Sequence, residues 1–294
     1  MKILVKSVVF AAVSMLALAA AAPTASAQTQ DHWDKTYTVA GQPTLVLTTG
    51  DSDLKIKSCG DCQTVRIHVD AQNRKLSDYR LEEDQSGNTI HFLLREKPRM
   101  GFHMSWHASS VSVEVETPSI LTLHAETADG NLSASGLEGA ISLRSSDGHQ
   151  NIADVSGTLN VQSSDGTVEL RNIAGTLDAR TSDGNLNVSG KLDGVNIRTS
   201  DGSLTLELAS GSSLKSDSTL HSSDGNITVR LPKDLAANLD VSSSDGKIDC
   251  NLPLTLNEFH SSGDSDHAVR GKLNAGGALF TIHTSDGSVH LSSL

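Results

Sequence analysis

The sequence predicts an all-β protein: an N-terminal β-strand region followed by a flattened single-stranded β-solenoid (a β-helix) of about 18–23 residues per coil. Three observations predict it. Asp-Gly falls at Asp129-Gly130, Asp147-Gly148, Asp165-Gly166, Asp183-Gly184 and Asp201-Gly202 with an interval of 18 residues each time, and a fixed period of about 20 residues marks a stacked repeat. Within each interval apolar residues return at the same offsets, in pairs two residues apart, as they do along a strand with one inward face. No stretch beyond residue 27 shows the 3.6-residue periodicity of a long helix.

Residues 1–27 read as a signal peptide. Lys2 and Lys6 precede an apolar run from Val8 to Ala22, and Ala25-Ser26-Ala27 forms a small-x-small cleavage site. A membrane anchor is the competing reading, but the run is short and no cysteine sits at the cleavage point for lipid attachment. No later segment is apolar enough to span a bilayer, so no transmembrane segment is expected after cleavage. The chain is therefore expected to be exported to the periplasm, the cell surface or the medium. The formal charge is −12, and −14 once the two lysines of the signal are gone. Such acidity argues against a nucleic-acid partner and against docking to anionic headgroups.

Residues 28–118 are expected to be an N-terminal all-β region without the repeat. Tyr37 to Val39, Leu45 to Leu47, Leu54 to Ile56, Val65 to Val69, Ile90 to Leu93 and Val111 to Val115 carry strand-like apolar residues, mostly alternating with polar ones. The polar stretch from Asp70 to Asn88 ends in a turn, and Lys97 to Ser110 reads as a loop.

Residues 119–294 are expected to be the solenoid. Counting from each Asp, inward residues fall at offsets +3, +5, +8, +12 and +14: Leu132, Ala134, Leu137, Ile141 and Leu143 in one coil, Val168, Leu170, Ile173, Leu177 and Ala179 in another. Gln150 breaks the +3 slot, and Leu192 comes one place late. Two short strands per coil follow, with a second corner marked by Gly136, Gly157, Gly175 or Gly190. One coil cannot offset the ordering of its own backbone, so stacking must supply the rest. Asp224-Gly225, Asp245-Gly246 and Asp286-Gly287 continue the series at intervals of 23, 21 and 41, and a degraded turn at Ser261-Ser262-Gly263-Asp264 marks an irregular coil. At each corner Gly is expected to take positive φ and Asp to accept a backbone N–H as an Asx-turn. Arg144, Arg180, Arg198, His221 and His283 stand three residues before an Asp, which predicts weak lateral salt bridges with the Asp row.

These elements resemble the DUF4097 family of bacterial exported proteins, which carries an adhesin label. The resembling residues are Val113-Glu114-Val115-Glu116-Thr117-Pro118, Leu121-Thr122-Leu123 leading into Asp129-Gly130-Asn131-Leu132, the serial Ser-Asp-Gly coils, Val229-Arg230-Leu231-Pro232 with Leu239-Asp240-Val241, and Thr284-Ser285-Asp286-Gly287-Ser288-Val289. The resemblance covers most of residues 35–294. It implies a right-handed β-solenoid and brings no activity and no catalytic residues with it.

Candidate chemistry is sparse. Cys59-Gly-Asp-Cys62 in an oxidising compartment predicts a disulfide across a turn; redox exchange would want a helix N-terminus, and no helix follows. Cys250 occupies an inward slot and reads as a small buried hydrophobe. His103 and His107, with His91 and Trp106 near in sequence, have a spacing that suits a metal-binding helix, yet the stretch reads as loop or strand. One Asp per coil offers too few oxygens for calcium unless carbonyls complete the shell. Thr158, Thr176, Asn196 and Thr219 are too mixed for an ice-binding row. Aromatics make up 3% of residues, leaving few platforms for sugar stacking, and hydrolase or lyase activity would rest on fold analogy alone. The sequence thus predicts an exported, non-enzymatic structural or interaction module of the envelope, with no cofactor and an unidentified protein or glycan partner. A calcium-stabilised adhesive repeat and a carbohydrate-active enzyme are the alternatives.

Overall fold

The computed structural model describes residues 31–72, 74–98, 111–261 and 267–294. The expected signal peptide, His103, Trp106, His107 and most of the degraded turn after Ser261 lie outside them. In chain order the strands begin β1 (His32–Thr38), β2 (Thr44–Thr49), β3 (Asp53–Ser58), β4 (Thr64–Asp70), β5 (Tyr79–Ser86), β6 (Thr89–Glu96), β7 (Ser112–Thr117), β8 (Ile120–Glu126) and β9 (Leu132–Ser135). The regular coils follow as β10 (Glu138–Arg144), β11 (Gln150–Gln162), β12 (Val168–Arg180), β13 (Leu186–Thr199) and β14 (Leu204–Leu208). The last part comprises β15 (Ser218–Ser222), β16 (Ile227–Leu231), β17 (Ala237–Ser243), β18 (Ile248–Asn251), β19 (Thr255–Ser261), β20 (His267–Leu273), β21 (Leu279–Thr284) and β22 (Val289–Ser293).

Each coil contributes one strand to a face that leads into the Asp-Gly corner and one to a face that leaves it. β11, β12 and β13 run through the second corner without a break, so their two halves serve both faces. Register across the regular coils is the 18-residue step: Leu159 lies beside Leu177, and Ile152 beside Leu170. The late Leu192 is a bulge, because Gly175 pairs with Leu192 while Thr176 skips to Gly194. The expected inward residues all face one continuous core; Leu170, Ile173 and Val195 are at most 2% exposed. Gln150 is also buried, and its amide Nε2 donates to the carbonyl of Gln162 at 2.6 Å.

Two features at the scale of elements go beyond the sequence reading. Strands from both sides of residue 118 share one stack: β2 lies between β6 and β8, all parallel, and β3 lies between β7 and β9. The N-terminal strands are therefore further coils. They lack the repeat because antiparallel strands interrupt them, β5 against β6 and β4 against β7, and β5 occupies much of the polar stretch from Asp70 to Asn88. The second surprise is at the other end. β20 turns back antiparallel to β17, and β21 then enters between β15 and β17 while β22 enters between β16 and β18. The corner of Asp286 thus sits between those of Asp224 and Asp245. Antiparallel strands flank both faces at one end of the stack and the β17 face at the other, which covers edges that would otherwise invite pairing with other chains; β18 pairs with β22 alone among the described residues.

Cys250 corrects another expectation. It sits beside Leu291 on β18, the outermost strand of its face, and is half-buried rather than enclosed, because no further coil lies beyond it there. Burial still pushes its thiol pKa up.

Candidate functional site

The Asp-Gly corners are built differently from the sequence expectation. None of their glycines has φ in the left-handed region; positive φ belongs to the opposite corner, at Gly136 (+70°), Gly157 (+108°) and Gly175 (+109°). The Asp-Gly glycines are needed for close approach instead. A Cβ on Gly166 would lie 2.0 Å from the carbonyl oxygen of Gly148, and one on Gly246 would lie 1.8 Å from that of Gly287. The same stacking contact joins Gly130, Gly148, Gly166, Gly184, Gly202, Gly225, Gly287 and Gly246 in that spatial order. Gly130 in turn rests on Ser52, so Gly50-Asp51-Ser52 between β2 and β3 is a further corner of the column.

The aspartates do not cap these turns. Asp129, Asp147, Asp165, Asp183, Asp201, Asp224, Asp245 and Asp286 are exposed, and among the described residues their carboxylates take no hydrogen bond or ion pair. Two other side chains hold the corner. A buried hydroxyl two residues before each Asp points inward: Thr127, Ser145, Ser163, Thr181, Thr199, Ser222, Ser243 and Thr284. Ser243 Oγ donates to the Gly287 carbonyl at 3.0 Å and accepts the Gly246 N–H at 2.9 Å; Thr284 Oγ1 donates to the Gly225 carbonyl and accepts the Gly287 N–H, both at 3.2 Å. The residue after the Gly ties neighbouring coils. Asn131 Oδ1 accepts the His149 N–H at 3.1 Å, and Asn226 Oδ1 accepts the Ser288 N–H at 2.9 Å. The sequence contained the hydroxyl signal, because all eight corners read Ser/Thr-x-Asp-Gly.

The basic stripe is real but unpaired with the Asp row. Its members are Cα partners on successive strands: Arg144 beside Gln162, then Arg180, Arg198, His221 and His283. Arg144 donates to Gln162 Oε1 at 3.0 Å, and Arg180 pairs with Asp178 on its own strand at 3.0 Å. Arg198 has no hydrogen bond or ion pair among the described residues. His221 and His283 stack with ring centroids 5.3 Å apart, and His283 Nδ1 lies 2.9 Å from Ser242 Oγ. Burial, the His283 ring and the Arg198 charge together hold the His221 pKa below the ordinary histidine value.

A cleft of about 390 Å³ runs along this stripe. Arg144, Gln162, Arg180, Arg198 and His221 line it from the strands, with Ser164, Ser182, Ser200 and Ser223 at the corner; no carboxylate lines it. By contrast, the charged cluster on the other face is internally neutralised. Asp34 takes Arg66 at 3.3 Å and His68 at 2.9 Å, which lowers its pKa with His68 the larger cause, and Lys57 meets Glu116 at 2.8 Å. Cys59 and Cys62 are joined, as expected, closing the turn from β3 to β4 with a Cα separation of 5.9 Å. Among the described residues no three His, Cys, Asp or Glu side chains gather to hold a metal ion, and no helix is long and apolar enough to cross a membrane.

The family model described as Toastrack DUF4097 matches residues 43–292. Three solved structures are similar to the chain. A "putative cell adhesion protein" from Clostridium sporogenes ATCC 15579 is 11% identical, over 90% of this chain and 100% of that one, with a TM-score of 0.26. A "putative adhesin" from Bacteroides fragilis NCTC 9343 is 11% identical over 90% and 98%, with a TM-score of 0.42. Another, from Parabacteroides merdae ATCC 43184, is 14% identical over 89% and 96%, with a TM-score of 0.39. No curated protein matches the chain.

Proposed function

From the premise that this chain belongs to the Toastrack DUF4097 family, whose model runs over nearly all of its described length, we propose that it is an exported, non-enzymatic platform of the cell envelope that holds an extended partner along its outer face. The observation that carries this reading is the unbroken register of outward side chains. One row runs from Glu126 through Arg144, Gln162, Arg180, Arg198, His221 and His283 to Ser242, crossing coils that are far apart in sequence. Such rows repeat at the strand spacing of about 4.8 Å. They match a partner that is itself linear or repetitive better than a compact substrate.

The partner is a surface protein or glycan, and the site of action is the periplasm, the cell surface or the medium. The test is retention of the purified protein on arrays of cell-wall fragments and glycans, with the bound component recovered and sized. Retention with the component unchanged in length supports the platform. Shortening of the component, or no retention on any envelope material, contradicts it.

A further inference from the structure

The basic cleft stands out against the charge of the whole chain. In a protein of formal charge −12, most arginines elsewhere are neutralised on the spot: Arg66 by Asp34, Arg171 by Glu169, Arg230 by Glu207 and Arg270 by Asp240. Along the cleft the pattern weakens. Arg144 meets a neutral amide, Arg198 has no hydrogen bond or ion pair among the described residues, Arg180 alone has a carboxylate, Asp178 on its own strand, and Arg180, Arg198 and His221 are direct neighbours on adjacent strands. Like charges placed side by side on a sheet destabilise it. The fold needs none of them, because the corner is held by buried hydroxyls on the inward side. An arrangement that costs stability and leaves guanidinium forks open is what an incoming row of anions would neutralise.

We propose that this cleft binds an extended acidic glycan, its carboxylate groups meeting Arg144, Arg180 and Arg198 and its hydroxyls meeting Gln162, Ser164, Ser182 and Ser200. The proposal rests on the platform reading and names the partner class for it. Length is part of the argument. From Arg144 to His221 the row crosses four strand spacings, roughly 19 Å, which is several sugar units of an extended chain and far more than one acid group can use. The lining supplies no Phe, Tyr or Trp ring. Recognition must then come from charge and hydroxyls, so a neutral glycan of the same length is excluded.

The probes are polygalacturonate, neutral dextran of matched length, galacturonic acid monomer and inorganic polyphosphate, titrated against the purified protein at low and moderate salt. The expected result is polygalacturonate binding that weakens as salt rises, with dextran and monomer at least tenfold weaker. Arg180→Gln combined with Arg198→Gln should weaken polygalacturonate at least tenfold with a melting temperature no lower than the parent's. Arg230→Gln, on the other face, should leave affinity as it was. Binding of dextran equal to polygalacturonate, tighter binding of polyphosphate, or equal loss in both variants overturns the proposal. Failure of polygalacturonate while neutral envelope fragments are still retained sinks the acidic-glycan assignment and leaves the platform standing; failure of all envelope material sinks both.

Discussion

At the residue scale the Asp-Gly corner separates three jobs that the dipeptide alone merges. Glycine admits the neighbouring coil, an inward Ser or Thr satisfies the turn, and Asp is left free to solvent. The two explanations for glycine predict different substitutions. Were positive φ the requirement, Asn would serve at Gly166. Because a Cβ there would meet the Gly148 backbone at 2.0 Å, Gly166→Asn should cost about 3 kcal/mol or more, at the upper end of overpacking. Gly136→Asn should cost under about 1 kcal/mol, since Asn172 already holds φ +53° at that place in its own coil. Asp165→Asn should shift stability by less than about 0.5 kcal/mol, because no bond is lost and repulsion from Asp147 and Asp183 falls. Chemical denaturation of the three variants checks this, and a mild Gly166→Asn would restore the positive-φ explanation. The sequence displayed the hydroxyl at −2 in every corner. It went unread because Ser and Thr are expected in turns for generic reasons, and only the burial of Ser163 and Thr181 distinguishes a structural column from loop composition.

His221 gives a pH signature at the same scale. Its pKa in the fold is lowered, so the unfolded chain binds the proton more readily. The stability associated with neutral His221 is present above the unfolded value of about 6.5 and is lost as pH falls from there toward the lower folded value. The groups facing it are Arg198 on β13 and His283 on β21, both of which oppose a second positive charge. The melting temperature should fall between pH 8 and pH 5.5, and His221→Asn should reduce that fall. An identical fall in both proteins would refute the assignment.

At the scale of elements, periodicity carried the argument. Offsets of two within a strand and 18 between coils placed Leu170, Leu177 and their counterparts inward, and the structure agrees because a sheet buried on one face tolerates no one-residue slip. Leu170→Asp should therefore unfold the stack. Glu169→Ala removes only an exposed ion pair to Arg171 and should cost less than about 1 kcal/mol. Thermal melts of the pair decide it: equal melting temperatures would mean the inward face is misassigned. The basic stripe was also visible in the sequence, but its partners were not. Spacing along the chain places Arg180 three residues from Asp183, yet the corner turns the aspartate away and leaves Asp178, two residues back on the same strand, as the partner.

At the scale of the whole molecule, chain order and spatial order part company, and no sequence period could reveal it. A repeat read in order implies coils stacked in order. Parallel pairing is indifferent to connectivity, so an antiparallel return such as β20 along β17 can carry the chain back and let a later coil slot in beneath an earlier one. The N-terminal strands do the same, with β2 and β3 filling the coil between β6–β7 and β8–β9. The consequence is functional as well as architectural: antiparallel strands close one end and the β17 face of the other, and the outer row on which the proposed partner lies crosses coils that are far apart in sequence. Cysteine pairs test this most directly in a Cys250→Ser background. Thr219 lies beside Thr281, and Thr281 beside Asp240, on adjacent strands, within the reach of a disulfide; Thr219 and Asp240 are two spacings apart, roughly 9.6 Å, beyond the ~7 Å limit between Cα atoms. Oxidation should link Thr219→Cys to Thr281→Cys, and Thr281→Cys to Asp240→Cys, and leave Thr219→Cys with Asp240→Cys free. A link between positions 219 and 240, with none between 219 and 281, would show coils stacked in chain order and contradict the account.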